Sequence, residues 1–238
     1  MNIVAAIEAD GFAIVPKAVD EQTIDALIWG LERAHGGSLL RNVLRAVPGV
    51  RELAMAPPIR SLVEPVLGQN AFAVRGLFFD KTQEANWKVP WHQDLTIAVK
   101  ERLEVQGFGP WSIKEGVPHV QPPVALLERM LTLRVHLDDC GELNGPLKVL
   151  SGSHRTGLLG AEANQAWRRK AEAKPCFVPR GGILVMRPLL LHGSSSAQLP
   201  HHRRVIHLEF AAELLPDGLA WWDEAGPMAE RRGGSQSP

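Results

Sequence analysis

Three segments alternate polar and apolar residues with the two-residue period of a half-buried strand. In 203–212, Arg203, Val205, His207 and Glu209 share one face, and Arg204, Ile206, Leu208 and Phe210 the other. In 130–137, Thr132, Arg134 and His136 oppose Leu131, Leu133, Val135 and Leu137. In 71–81, Arg75, Leu77, Phe79 and Lys81 line up on one face. Shorter strands are expected at 11–17, where Pro16 ends the run, and at 147–150, 175–179 and 182–187, the last two joined by an Arg180-Gly181-Gly182 turn.

Helical periodicity occurs mainly in the first third. Asp20 caps a helix to about Ala34, with Ile24, Leu27, Ile28 and Leu31 as its buried stripe and Gly36-Gly37 as its stop. Leu40, Val43, Leu44 and Val47 have helical spacing until Pro48-Gly49 interrupts it. A short helix is expected over 58–67 and a polar helical insertion over 161–173. Asn144-Gly145 is a hairpin signal. Residues 96–124 lack regular pattern; Phe108, Trp111, Val117 and His119 there favour an ordered lid over plain surface packing. Trp221-Trp222 is either an apolar cover for the sheet or a dimer contact.

Composition narrows the class. The 238 residues suffice for one large domain, 1–225, followed by a Gly/Ser/Arg-rich tail, 226–238, expected to be disordered. The 26 basic and 26 acidic residues balance, so no electrostatic footprint for nucleic acid or an anionic membrane is present. The most apolar run, 182–191, is short and broken by Arg187 and Pro188, and the first ten residues lack the basic start of a secretion signal. Cys140 and Cys176 form no paired motif and suit reduced thiols, so a cytoplasmic location is expected.

Candidate chemistry centres on Trp91-His92-Gln93-Asp94 and, a hundred residues later, His192-Gly193-Ser194. His92 and Asp94 sit two apart, so an extended backbone points both the same way. With His192 they complete a two-histidine, one-carboxylate set of the kind that holds Fe(II) on one face of an octahedron and leaves positions open. Arg203, eleven residues after His192, offers a planar fork for a carboxylate. His-x-Asp alone is common by composition; four features in order on plausible strands are not.

Trp91-His92-Gln93-Asp94, Asn144-Gly145-Pro146-Leu147 with Ser151-Gly152-Ser153-His154, His192-Gly193-Ser194 and Arg203 together resemble the phytanoyl-CoA dioxygenase family of Fe(II)/2-oxoglutarate oxygenases. Gly11-Phe12-Ala13-Ile14-Val15 resembles its N-terminal opening. The resemblance implies a mainly β protein with flanking helices around a double-stranded β-helix, the jelly roll of cupins. It implies His92, Asp94 and His192 as metal ligands, with 2-oxoglutarate chelating the metal. The far carboxylate of 2-oxoglutarate would lie on Arg203 and Ser194, with Thr132, or Arg134 on the same strand, a further contact. O2 is the second cosubstrate, succinate and CO2 are released, and a C–H bond of a small molecule is hydroxylated. Related halogenases carry a small residue where Asp94 stands, so hydroxylation is favoured.

Lys81 is a weaker candidate for the cosubstrate carboxylate, a solvent-facing strand end being the plainer reading. Arg204 would replace Arg203 if the strand slipped by one residue. His154 is read as structural and His119 is set aside as a ligand. Trp87, Phe108, Trp111 and the Val117–Pro123 loop suggest an aromatic-lined pocket, in a monomer or homodimer. Three rivals stand beside this: a zinc hydrolase, a cupin-like metal- or ligand-binding module without turnover, and a structural β-sandwich.

Overall fold

The computed structural model describes residues 2–34 and 36–227. The chain starts with a helix that periodicity did not announce, α1 (Ile3–Ala9), capped by the Asn2 side chain on Ala5 N–H. Strand β1 (Phe12–Val15) leads to helix α2 (Glu21–Ala34), where the Asp20 carboxylate accepts from Thr23 N–H at 2.9 Å and Ile24, Leu27 and Leu31 are buried as expected. After the short strand β2 (Leu39–Leu40) come three helices, α3 (Val43–Ala46), α4 (Pro48–Met55) and α5 (Pro57–Leu67). Pro48 and Pro57 each open a helix, where a missing N–H costs nothing.

Strands β3 (Phe72–Lys81), β4 (Val89–His92), β5 (Ile97–Ala98), β6 (Trp111–Lys114) and β7 (Val117–Val120) follow, then helix α6 (Val124–Glu128) and strands β8 (Leu131–His136) and β9 (Leu147–Val149). Helix α7 (Ala161–Lys170) precedes β10 (Lys174–Cys176), β11 (Ile183–Met186), β12 (His192–Ser194) and β13 (Arg203–Ala211). Six strands pair in the order β1-β11-β8-β13-β3-β2, and four in the order β10-β9-β12-β4. These antiparallel sheets are the two walls of a cupin-like jelly roll.

The alternating segments explain how the larger sheet is buried. Leu131, Leu133, Val135, Ile206, Leu208 and Phe210 form one core with the stripes of α2–α5. The opposite face turns Arg203, His207, Glu209, Arg134, His136 and Lys81 toward the smaller sheet, and all six are buried. The closed end between the walls is apolar, with Leu184, Met186, Leu147, Val149 and Leu190.

Two turn signals changed places. The segment 96–124, expected to be irregular, forms a third sheet, β5-β7-β6. Lys114 pairs with Val117, so the β6–β7 turn is the two residues Glu115 and Gly116, with φ of 50° and 80°. Positive φ at both positions is the primed hairpin geometry whose usual signature is Asn-Gly. Asn144-Gly145, which carries that signature, is no hairpin: Glu142–Asn144 is a 3₁₀ turn, Asn144 Nδ2 donates to Asp139 O at 2.9 Å, and the connected strands lie in different sheets. Phe108 and Trp111 pack into a second apolar cluster with Trp221, so they serve the third sheet rather than a pocket wall. Trp221 is the cover rather than a dimer contact, with its indole N–H on Glu213 O at 3.0 Å. The expected tail lies, from residue 228 on, outside the described residues. Among the described residues no helix is long and apolar enough to cross a membrane.

Candidate metal centre and active site

His192 on β12 pairs directly with His92 on β4 in antiparallel register. Directly opposed residues share a face, and the two imidazole centroids lie 4.2 Å apart. The strands approach this closely because Gly193 has no side chain: a Cβ there would lie 3.0 Å from Val89 O and 3.3 Å from Trp91 Cα. Asp94 lies two residues past the end of β4, its N–H held by Pro188 O at 2.9 Å. Its carboxylate oxygens sit 3.5 Å from His92 Nε2 and 3.7 Å from His192 Nε2. One donor atom from each of His92, Asp94 and His192 lies within 4.8 Å of the others.

Both rings are oriented from behind. His92 Nδ1 is 2.8 Å from Pro90 O and His192 Nδ1 is 2.8 Å from Leu190 O. Carbonyl oxygens only accept, so each Nδ1 carries a proton and each Nε2 is the nitrogen turned toward the centre. Burial lowers the pKa of His192 to about 4 despite the nearby Asp94 charge, so its ring is neutral at pH 7. Burial also opposes charge on His92, but the hydrogen bond and charge of Asp94 outweigh it and raise that pKa. For Asp94, burial is overcome by the surrounding histidines, which hold its carboxyl well below the usual carboxylate range. Asp94 Oδ2 is buried without a hydrogen-bond partner. The free lone pair of neutral His192, the His92 Nε2 whose proton a metal ion would displace, and an ionised, partly unsatisfied carboxylate are the donor set of a divalent transition metal, and the residues fit one.

Gln93, between the two proximal residues, points the other way and ties the motif down. Its amide donates to Gly157 O at 2.8 Å and Leu189 O at 2.7 Å and accepts from Leu159 N–H at 2.9 Å. Ser153 Oγ accepts from Leu191 N–H at 2.9 Å, the residue before His192. The Gly-Ser-His motif is thus a brace, with His154 packed where a side chain on Gly11 would stand and its Nε2 on Glu8 O at 3.2 Å.

The triad opens into a cavity of about 570 Å³ that Arg134, Ser194, Arg203, His207 and Glu209 also line. Arg203 faces inward; Arg204 faces out to Asp138 and Glu32, which excludes the one-residue slip. Arg203 Nη1 donates to Gly145 O, and Gly145 sits in the left-handed region where a Cβ would lie 2.6 Å from Ser195 O, which accounts for glycine after Asn144. Lys81 is not solvent-facing: it is 1% exposed, with Nζ 3.1 Å from Ser194 Oγ and 3.2 Å from Ser195 O. Burial and the charges of Arg203 and Arg134 pull its pKa down to about 7, and burial pulls that of Arg134 to about 10. Among the described residues none of these three cations has a carboxylate partner.

Thr132 is buried on the inner face of β8 with its hydroxyl unpartnered, yet it does not line the cavity. Trp87 does line it, its ring 5.6 Å from Lys81 Nζ. Arg75 lines it too, from the face of β3 that was expected to look inward, and so does Lys114, which pattern reading missed because it arrives on a hairpin that the sequence disguised.

A relative 22% identical over 241 residues, spanning 84% of this chain and 82% of its own, is an L-proline trans-4-hydroxylase from Streptomyces griseoviridis. Among solved structures, HygX from Streptomyces hygroscopicus with nickel and 2-oxoglutarate bound is 16% identical with a TM-score of 0.65, over 93% of this chain and 89% of that one. The non-heme alpha ketoglutarate dependent epimerase SnoN from nogalamycin biosynthesis is 16% identical with a TM-score of 0.67, over 94% and 93%. Residues 7–205 match the phytanoyl-CoA dioxygenase family, and the chain belongs to it.

Proposed function

We propose that this protein is an Fe(II)- and 2-oxoglutarate-dependent dioxygenase that hydroxylates an unactivated C–H bond of a small molecule. The observation that carries the reading is the triad of His92, Asp94 and His192 standing beside buried cations that have no acid of their own. His92 and His192 would ligate through Nε2 and Asp94 through its carboxylate. When bound, the iron with 2-oxoglutarate and O2 supplies the oxidant, with succinate and CO2 as coproducts.

The chain's residues bind, orient and desolvate. Arg203 and Ser194, which line the cavity, take the far carboxylate of the cosubstrate, and Lys81, which does not line it, adds positive charge through Ser194 Oγ, 3.1 Å from its Nζ. Arg134, held by His207 Nδ1 at 2.9 Å, adds positive potential. Pro90 O and Leu190 O hold the Nδ1 proton of both rings, so neutral His192 is ready to ligate through Nε2, and His92 does so once the proton it directs at Asp94 leaves. Leu77, Phe79 and Trp87 form an apolar wall that excludes water where a substrate C–H bond must be the nearest target. The hydroxylation of L-proline named for the relative is a reaction of the same type.

Anaerobic titration of the protein with Fe(II), with and without 2-oxoglutarate, tests the reading. A visible charge-transfer band that requires both, disappears in His192→Ala and weakens in Arg203→Ala is expected. Metal binding without any such band would sink the oxygenase reading in favour of a binding module.

A further inference from the structure

The proposed cosubstrate uses the end of the cavity at Arg203. The other end holds charges that this reading does not employ. Glu209 and Arg75 are paired residues on β13 and β3, buried to 6% and 8% exposure, with Nη1 to Oε1 at 3.1 Å. Lys114 reaches the same end from β6, where its Nζ donates to Thr96 Oγ1 at 3.1 Å. Its pKa is lowered by burial and the Arg75 and Arg41 charges and raised by Glu209, so these groups form one electrostatic unit. Arg41 is neutralised by Glu115 at 2.8 Å. Among the described residues Lys114 has no carboxylate within ion-pair distance.

A buried ion pair contributes little to stability once desolvation is counted, and this pair sits on a cavity wall where a ligand reaches both signs. We propose, building on the oxygenase reading, that this end recognises the zwitterionic head of a free α-amino or α-imino acid. The carboxylate takes Lys114 with the donors of Arg75 not spent on Glu209, and the ammonium takes the Glu209 carboxylate. His207, whose Nε2 is 3.4 Å from Glu209 Oε1, steadies that acceptor. Held this way, the substrate's aliphatic carbons extend along Leu77 and Phe79 toward the triad. The cavity accommodates an amino acid beside the cosubstrate, and compact ligands of this kind suit its size.

The test is saturation-transfer NMR on protein loaded with 2-oxoglutarate and redox-inert Zn(II), with the twenty proteinogenic amino acids and their N-acetyl and amide derivatives as probes. At least one free amino acid is expected to bind, and either derivative of it at least tenfold more weakly. Lys114→Gln should erase the preference for acid over amide, and Glu209→Gln the preference for free amine over N-acetyl. Because these readouts are ratios, a partly destabilised Glu209 variant still reports, and half-exposed Lys114 is tested independently. Binding by no amino acid, or equal binding of capped and free forms, overturns the proposal. The 2-oxoglutarate resonances in the same spectra report the cosubstrate reading separately: their silence would count against that reading alone.

Discussion

Strand β13 carries two charged groups on one face, Arg203 near its start and Glu209 near its end, roughly 20 Å apart along an extended backbone. Around Arg203 the charges have one sign: Lys81 is its direct neighbour on β3, and Arg203 is close enough to perturb both Lys81 and Arg134. Around Glu209 both signs occur, and Arg75 is its direct neighbour on the same pair of strands. The first end is electrostatically incomplete until an anion enters. The second is neutralised internally except for Lys114. One cross-strand register therefore builds a site that demands an anion and a site that discriminates between charge patterns, with the triad between them.

The largest expected effect removes what the two ends share. His192→Ala takes away one of three converging donors and should bring 2-oxoglutarate turnover to background, with the far-ultraviolet circular dichroism unchanged; retained turnover would mean the metal is held elsewhere. Next, Arg203→Ala should break the one-sign end alone. Truncating one partner of a buried, hydrogen-bonded charge pair costs about 2–5 kcal/mol, so the 2-oxoglutarate Kd should rise about thirtyfold or more by calorimetry. A Kd moved less than about threefold would transfer the anchor to Lys81 or Arg134.

These residues were unequally legible in the sequence. Period-two alternation located β3, β8 and β13 and separated their two faces, because one face of each packs on helices and any slip would expose a core, but it left open whether the polar face of β8 looks into the barrel. The triad was legible for the same reason: His-x-Asp and His-x-Ser are local patterns, and pairing of β4 with β12 is what the strands do with them. Lys81 was misread because a lysine at a strand end usually reaches water; only Ser194 and Ser195 on a distant strand show that it does not. Lys114 was invisible because Glu115-Gly116 forms a primed turn without its usual asparagine, whereas Asn144-Gly145 has the signature and uses it to place a carbonyl against Arg203. Turn chemistry is local, but which turn a dipeptide makes depends on the strands that flank it.

Lys81 gives the one-sign end a pH signature. Its folded-state pKa is lowered to about 7 by burial first and by Arg203 and Arg134 next, against 10.5 when exposed. Between about pH 7 and 10.5 the unfolded chain binds a proton that the folded chain lacks, so this group makes the free protein more stable as pH rises through that window. Below pH 7 both states are charged and the burial penalty is present in full. A bound carboxylate favours the charged form, so 2-oxoglutarate affinity should be level below pH 7 and fall above it, by at most about tenfold per pH unit. The difference between wild type and Lys81→Met isolates the effect: the variant should bind more weakly and lose the slope. An identical slope in both would show that the Lys81 charge does not act on the cosubstrate.

The smallest effect asks whether the two ends are insulated from each other. Phe79 lies between them, with the Arg134 guanidinium 5.6 Å from its ring centroid and the His207 ring edge-on at 6.0 Å. Arg134 belongs to the one-sign end, while His207 touches Glu209 at the mixed end. Phe79→Leu keeps an apolar wall of similar reach and removes the ring face, so it forfeits a cation–π contact of about 0.5–2 kcal/mol. If the ring only seats Arg134, 2-oxoglutarate binding should weaken about two- to tenfold, while discrimination between free and capped amino acids stays as it was. If His207 relaxes when the ring is gone, the Glu209 acceptor moves with it and discrimination falls in parallel. A parallel loss would make β13 a single coupled device, and a selective loss would leave two independent sites facing one metal.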